Sequence, residues 1–309
     1  MEQEYVICSE SLTKRFKKFT AVDNVNIHVP KGSIYGFIGK NGAGKSTCMK
    51  MFSGMIKPTS GNIKLLGASG EEIYTSHVLK NVGTLIESPG LYLNMTGFDN
   101  LKALSFVVGN VTDDDIKSVM QEVGLNWDDP KKVKGYSLGM KQRLGIGMAL
   151  LGKPELLILD EPINGLDPQG IAEVRNLLTE LNSKKGMTIM ISSHILEELS
   201  KLATHIGIIN DGKMLAEFTK DEFEKMDKPK IELAVSDNSK TVEILKELNI
   251  NNVKIETDGR IIISDCAMQT GELIGKIVGA GINVNSINEK RTSLEDYYLE
   301  LTDNQTKNK

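Results

Sequence analysis

A chain of 309 residues with 40% hydrophobic and 25% charged content has room for two domains and the make-up of a folded soluble protein. Its formal net charge of -4 lacks the basic excess of a nucleic-acid binder, and no apolar stretch nears the roughly 18 residues that span a bilayer. The start, Met1-Glu-Gln-Glu-Tyr5, is not that of a secretory signal, and Cys8, Cys48 and Cys266 form neither a C-x-x-C pair nor a zinc set, so reduced, packed thiols in a cytosolic protein are expected.

In chain order, Ile34–Ile38 reads as a buried strand running into Gly39-Lys-Asn-Gly-Ala-Gly-Lys-Ser46, a full match to the phosphate-loop pattern G-x-x-x-x-G-K-S/T. In such a loop the backbone N–H groups of Gly39, Lys40, Asn41, Gly42, Ala43 and Gly44 wrap the phosphates, and Lys45 meets their outer oxygens. Ser46 is placed to ligate Mg2+ and Thr47 to touch the inner phosphate. A plain Gly-rich turn would need neither the complete motif nor the strand and helix on either side. The helix is expected from near Lys45 to about Met55, before Pro58-Thr-Ser-Gly61 forces a turn. Cys48, just past the loop, reads as a small buried side chain.

Asn62–Leu65 and Val82–Ile86 read as strands, and Phe98–Val108 and Ile116–Val123 as helices, the second opened by the acidic cap Thr112-Asp-Asp-Asp115. Leu156–Leu159 is a continuous apolar run ending in Asp160-Glu161, and Met187–Ile191 repeats that design before Ser192-Ser193-His194. This alternation predicts an α/β domain, a parallel sheet covered by helices, with ligands at the edge where strands stop. Asp160 is suited to hold Mg2+, mostly through water, and Glu161 to orient and deprotonate an attacking water. Alone, the two acids could equally be a solvated strand end. His28, His77 and His205 have no setting that suggests a role.

The charged, Pro-containing stretch Asp221–Lys230 reads as a domain boundary, dividing residues 1–225 from residues 230–305. Beyond it the order is β-α-β-β-α-β: Ile231–Val235, Thr241–Leu248, Val253–Thr257, Ile261–Ser264, Gly271–Ala280 and Ile282–Ile287, with Asp258-Gly259 as a two-residue hairpin signal. That order predicts a small α+β, ferredoxin-like module, closed by a helix at about Ser293–Leu301 and lacking any catalytic motif.

Between the phosphate loop and the acids lies Tyr136-Ser-Leu-Gly-Met-Lys-Gln-Arg143. With Gly39–Ser46, Leu156–Pro162 and Ser192-Ser-His194 in this order, the chain resembles the ATP-binding subunit of an ABC transporter over about Tyr5–Thr219. The family signature is Leu-Ser-Gly-Gly-Gln; this chain keeps Ser137 and the following Gly139 but has Leu138 and Met140. The resemblance implies that Ser137 and Gly139 meet the ATP of a second copy, that His194 contacts the γ-phosphate, and that Phe16 stacks on adenine, with Phe19 a nearby rival. It also implies that Asn164-Gly-Leu-Asp167 crosses the dimer interface; locally the same residues read as an Asn-Gly turn and an Asp-Pro helix start.

Most such cassettes carry Gln where Glu87 stands, in Val82-Gly-Thr-Leu-Ile-Glu-Ser-Pro89. That departure, the following Ser88–Thr96 and the tail Ser293-Leu-Glu-Asp-Tyr-Tyr-Leu-Glu300 resemble the bacitracin-resistance and lantibiotic-immunity branch. Glu87 is then expected to sense Mg2+ and the attacking water. The expected protein is an ATPase using ATP and Mg2+, a homodimer driving a separate membrane permease docked near Glu87–Phe98. It would sit peripherally on the inner face of the cell membrane, bind no nucleic acid, and serve export of peptide antibiotics. The alternative is a soluble ABC ATPase acting on ribosomes or DNA, although those usually carry two cassettes or long coiled-coil insertions.

Overall fold

The computed structural model describes residues 4–226, 230–264, 266, 268–290 and 293–307. Two compact units make up the chain, Met1–Lys220 and Asp221–Lys309. The first opens with β1 (Tyr5–Phe16), β2 (Phe19–Pro30), β3 (Ile34–Ile38) and α1 (Lys45–Phe52). It continues with β4 (Ser60–Leu65), β5 (Ala68–Ser69), α2 (Ser76–Leu79), β6 (Val82–Leu85), α3 (Gly97–Val108), α4 (Asp113–Glu122) and α5 (Leu138–Leu150). Its last elements are β7 (Leu156–Leu159), α6 (Pro168–Lys185), β8 (Thr188–Ser193), α7 (Leu196–Leu202), β9 (His205–Asn210) and β10 (Lys213–Thr219).

The expected parallel sheet is present in the order β10-β9-β3-β8-β7-β6, with the edge strand β10 antiparallel to β9. Every residue of β3, β7 and β8 is buried, as strands covered on both faces must be, which is why they read as unbroken apolar runs. A second sheet, β2-β1-β4-β5, is antiparallel and was not foreseen. Its sequence signal is scrambled: a register shift follows Ser9, where Ser11 takes φ 51, so the apolar alternation of β1 slips. The β1–β2 turn runs through Lys17 at φ 53 rather than through a glycine. Tyr35 of β3 donates to Glu217 of β10 at 2.6 Å, and Glu217 accepts from the N–H of His28 in β2 at 2.8 Å, so one carboxylate braces the two sheets.

Helices begin where side chains satisfy free backbone donors. Thr96 and Asp99 form a capping box on α3, Thr112 and Asp115 another on α4, and Ser137 and Asp167 cap α5 and α6. The charged stretch read as a domain boundary begins within α8 (Lys220–Met226); residues 227–229 lie outside the described residues.

The second unit contains β11 (Lys230–Val235), α9 (Asn238–Glu247), β12 (Val253–Ile255), β13 (Ile261–Ile263), α10 (Thr270–Gly279), β14 (Val284–Lys290) and α11 (Leu294–Lys307). Its sheet is antiparallel in the order β12-β13-β11-β14, the arrangement a ferredoxin-like β-α-β-β-α-β chain adopts. Ile231, Leu233, Leu245, Ile261, Ile263, Leu273 and Ile277 form its core. The hairpin between β12 and β13 is not the two-residue turn expected: Gly259 donates to Glu256 O at 3.0 Å and Glu256 to Arg260 O at 2.8 Å, closing a three-residue loop with Gly259 at φ 85. Asp-Gly serves this wider turn because only its last residue needs a left-handed backbone.

Candidate active site

The loop between β3 and α1 lies tight against its own domain. A Cβ at Gly39 would stand 2.5 Å from Ile209 O, and one at Gly44 (φ 109) 2.7 Å from Ala21 O, so these positions admit only glycine. Lys45 is 5% exposed; its Nζ donates to Gly39 O at 2.5 Å and Lys40 O at 3.3 Å and lies 3.4 Å from Glu161 Oε1. Ser46 and Thr47 are half-buried in the first turn of α1, and Asn41 and Gly42 are exposed at the loop crest. Cys48 is fully buried on α1, and burial pushes its thiol pKa well up, which makes it a packing residue.

Asp160 and Glu161 leave the end of β7 as expected, and one hydroxyl organises both. Ser192 of β8 donates to Asp160 Oδ1 at 2.5 Å and accepts from the backbone N–H of Glu161 at 2.9 Å. Sequence reasoning gave Ser192 no role of its own; its signal was the pair of hydroxyls closing an apolar strand. Glu161 adopts φ 50, a left-handed conformation that costs a non-glycine residue roughly 1–2 kcal/mol. Its Oε2 lies 2.7 Å from His194 Nδ1 and accepts the His194 N–H at 3.3 Å. Its Oε1 is buried without a hydrogen-bond partner. The Lys45 ammonium faces that oxygen, so the carboxylate is ion-paired on one side and held by His194 on the other. Lys45, Asp160, Glu161, Ser192 and His194 are therefore brought together from three places in the sequence.

Glu87 is not joined to that cluster by a direct contact. It takes φ 66, its side chain is 69% exposed, and Lys50 donates to it at 2.6 Å. The Lys50 hydrogen bond, followed by its charge, holds the Glu87 carboxyl below the usual range. Lys50 stands one helical turn after Ser46, so α1 carries both the phosphate loop's end and the partner of Glu87. Phe16 ends β1, exposed, with Lys14 Nζ 5.3 Å from its ring centre; Phe19 sits opposite it across the turn. Ser137 caps α5 by accepting from Met140 N–H at 3.2 Å, and Ser137 and Leu138 are exposed at that helix start. Gly139 follows in the first turn, 3.8 Å (as a built Cβ) from Gly170 of α6. Asp167 caps α6 by accepting from Gly170 N–H at 2.9 Å, which bears out the local reading of Asn164–Asp167 as a turn and helix start.

No helix among the described residues is long and apolar enough to cross a membrane. Residues 22–164 match the family model for the ABC transporter. The chain is 42% identical over 303 residues to the bacitracin transport ATP-binding protein BcrA of Enterococcus faecalis, covering 97% of each chain. It is 45% identical over 218 residues to the lantibiotic transport ATP-binding protein SrtF of Streptococcus pyogenes, covering 71% of this chain and 93% of that one. Among solved structures, an ATP-binding subunit of an ABC transporter superposes with a TM-score of 0.63 at 27% identity, over 72% of this chain and 92% of the other. A dimeric post-hydrolysis cassette, MJ0796 bound to ADP and Pi, gives a TM-score of 0.63 at 22% identity, over 69% and 98%, and shares the fold.

Proposed function

This chain belongs to the ABC transporter family as an ATP-hydrolysing ATP-binding subunit, and from that premise we propose that it powers a membrane permease that exports, or protects against, peptide antibiotics of the bacitracin and lantibiotic kind. The observation that carries the chemistry is the cluster Lys45–Glu161–His194, closed from behind by Ser192 and Asp160. Similarity along the whole chain to a transport subunit favours this reading over a soluble ATPase working on ribosomes or nucleic acid.

Each residue has a physical task in that reading. Phe16 offers a π face to adenine, while the N–H groups of Gly39–Gly44 and the Lys45 ammonium surround the phosphates. Glu161 is the base: Oε1, on the Lys45 side, would accept the proton of an attacking water, and His194 holds Oε2 and thereby the direction of the carboxylate. The Ser192 bonds keep Asp160 and the Glu161 backbone in register with each other. A hydroxyl and a carboxylate, Ser46 and Asp160, are the hard oxygen donors that suit Mg2+; bound there, the ion would neutralise charge on the phosphates, and Glu87, held by Lys50, is the third acid proposed to sense it.

Ser137, exposed, and Gly139, half-buried, at the start of α5 are proposed to meet the triphosphate of a second copy, giving a C2 homodimer with two shared sites. Closure of that dimer would pull on the permease through residues 87–98, and hydrolysis would release it. The protein would then lie on the inner face of the cell membrane, held by the permease.

The test is to isolate the complex from membranes and measure ATPase activity with added peptides. Stimulation by a membrane-active peptide antibiotic is expected, together with co-purification of a hydrophobic partner. Sedimentation with ribosomes and no peptide response would overturn the transport reading. Lys45→Ala should weaken MgATP binding about tenfold or more, measured by calorimetry, because a charge-assisted contact is lost.

A further inference from the structure

We propose that Gly145 is a positioning residue, whose missing side chain leaves a notch in α5 that seats Pro89 and so sets the place of Glu87. The inference rests on the reading of Glu87 as a residue that acts at the nucleotide. A Cβ built at Gly145 would lie 2.8 Å from Pro89 Cβ, 3.1 Å from Pro89 Cγ and 3.2 Å from Leu85 Cδ1. Pro89 Cβ and Cγ belong to a ring closed on the backbone, so they cannot rotate aside as a flexible side-chain end would. Leu85 ends β6 and Pro89 follows Glu87 by two residues, so the one notch touches the chain on both sides of Glu87.

Alanine is the better helix former, and Gly145 is buried in the middle of α5; helix stability alone argues against a glycine there. What the glycine provides is close approach. Glu87 needs it because its φ of 66 persists only where neighbours over-determine the loop. Lys50 holds the carboxylate from the α1 side, and the notch holds the backbone from the α5 side.

The same loop is then fixed to the residues just before α5. Lys134 N–H donates to Leu93 O at 2.8 Å and Val133 N–H to Met95 O at 2.9 Å. The buried amide of Asn100 donates to Tyr92 O at 3.1 Å and Thr96 O at 2.8 Å and accepts from Tyr92 N–H at 2.8 Å. Gly145 lies eight residues, or about 12 Å, along the helix from Ser137. A displacement at Pro89 is therefore felt both at Glu87 and along the helix that presents Ser137.

The experiment measures kcat, KM and thermal midpoint of the purified full chain for the parent, Gly145→Ala, Glu87→Ala and the double variant. Gly145→Ala should keep KM within about twofold and lower kcat about tenfold, the effect of a sub-ångström to one-ångström misplacement of a catalytic group. In the Glu87→Ala background the same substitution should cost less than about twofold, because its effect runs through Glu87. Adding Pro89→Gly to Gly145→Ala removes the clashing ring and should restore most of kcat relative to Pro89→Gly alone. Parent-like turnover in Gly145→Ala, or an equal loss with and without Glu87, would overturn the inference. Should Gly145→Ala fail to fold, a remaining tenfold gap between Pro89→Gly and the Pro89→Gly/Gly145→Ala pair would overturn it as well. Unchanged turnover in Glu87→Ala, where Gly145 is untouched, would instead remove the reading of Glu87 on which the inference stands.

Discussion

In the first unit Lys45 and Asp160 are buried charged residues, and Glu87 and Glu161 hold left-handed backbones. In the second unit, among the described residues, the buried polar side chain is Thr241, bonded to Asp237 O, and the left-handed non-glycine residue is Asn249, a type that tolerates that conformation. One unit keeps costly features at a sheet edge, and the other keeps an Ile- and Leu-rich core with few exceptions. Left-handed residues such as Ser11 and Lys17 also serve plain strand and turn geometry in the first unit; what marks the site is the combination, since among the described residues the buried charged side chains, Lys45 and Asp160, both lie beside the left-handed Glu161.

Substitutions can break or sharpen that contrast. The largest effect is expected for Glu161→Gln, which keeps size and burial but removes the base; turnover should fall roughly 10^2–10^4-fold while MgATP binding and the thermal midpoint hold. Normal hydrolysis in that variant would refute the assignment of Glu161 as the base. Next comes Leu233→Ala in the second unit, a fully buried core position, which should cost that unit about 2–5 kcal/mol in denaturant melts. MgATP affinity should be unchanged; its loss would erase the division between a working and a quiet unit. The smallest is Thr112→Ala, which removes the cap of α4 and should cost about 1 kcal/mol without altering kcat.

Much of the site was legible because its chemistry demands contiguous residues. A loop that wraps phosphate must be written as Gly39–Ser46 in one stretch, and acids at a strand end must follow the apolar run that places them. Pairings across the chain were not legible. Lys50 and Glu87 are 37 residues apart and Tyr35 and Glu217 are 182 apart, and neither side chain carries a local pattern that names its partner. The antiparallel sheet escaped notice because the shift near Ser11 breaks the period of two on which strand reading depends. The turn at Thr257–Gly259 misled in another way: Asp-Gly signals a hairpin, but the count of loop residues is set by how the strands meet.

The bond from Tyr35 through Glu217 to His28 fastens the sheet bearing Phe16 to the strand that leads into the phosphate loop. Under the proposed function, in which Phe16 meets the base and Gly39–Ser46 the phosphates, this brace ties the two grips together. A nucleotide would then engage both ends, whereas free pyrophosphate or a bare nucleoside would reach one only.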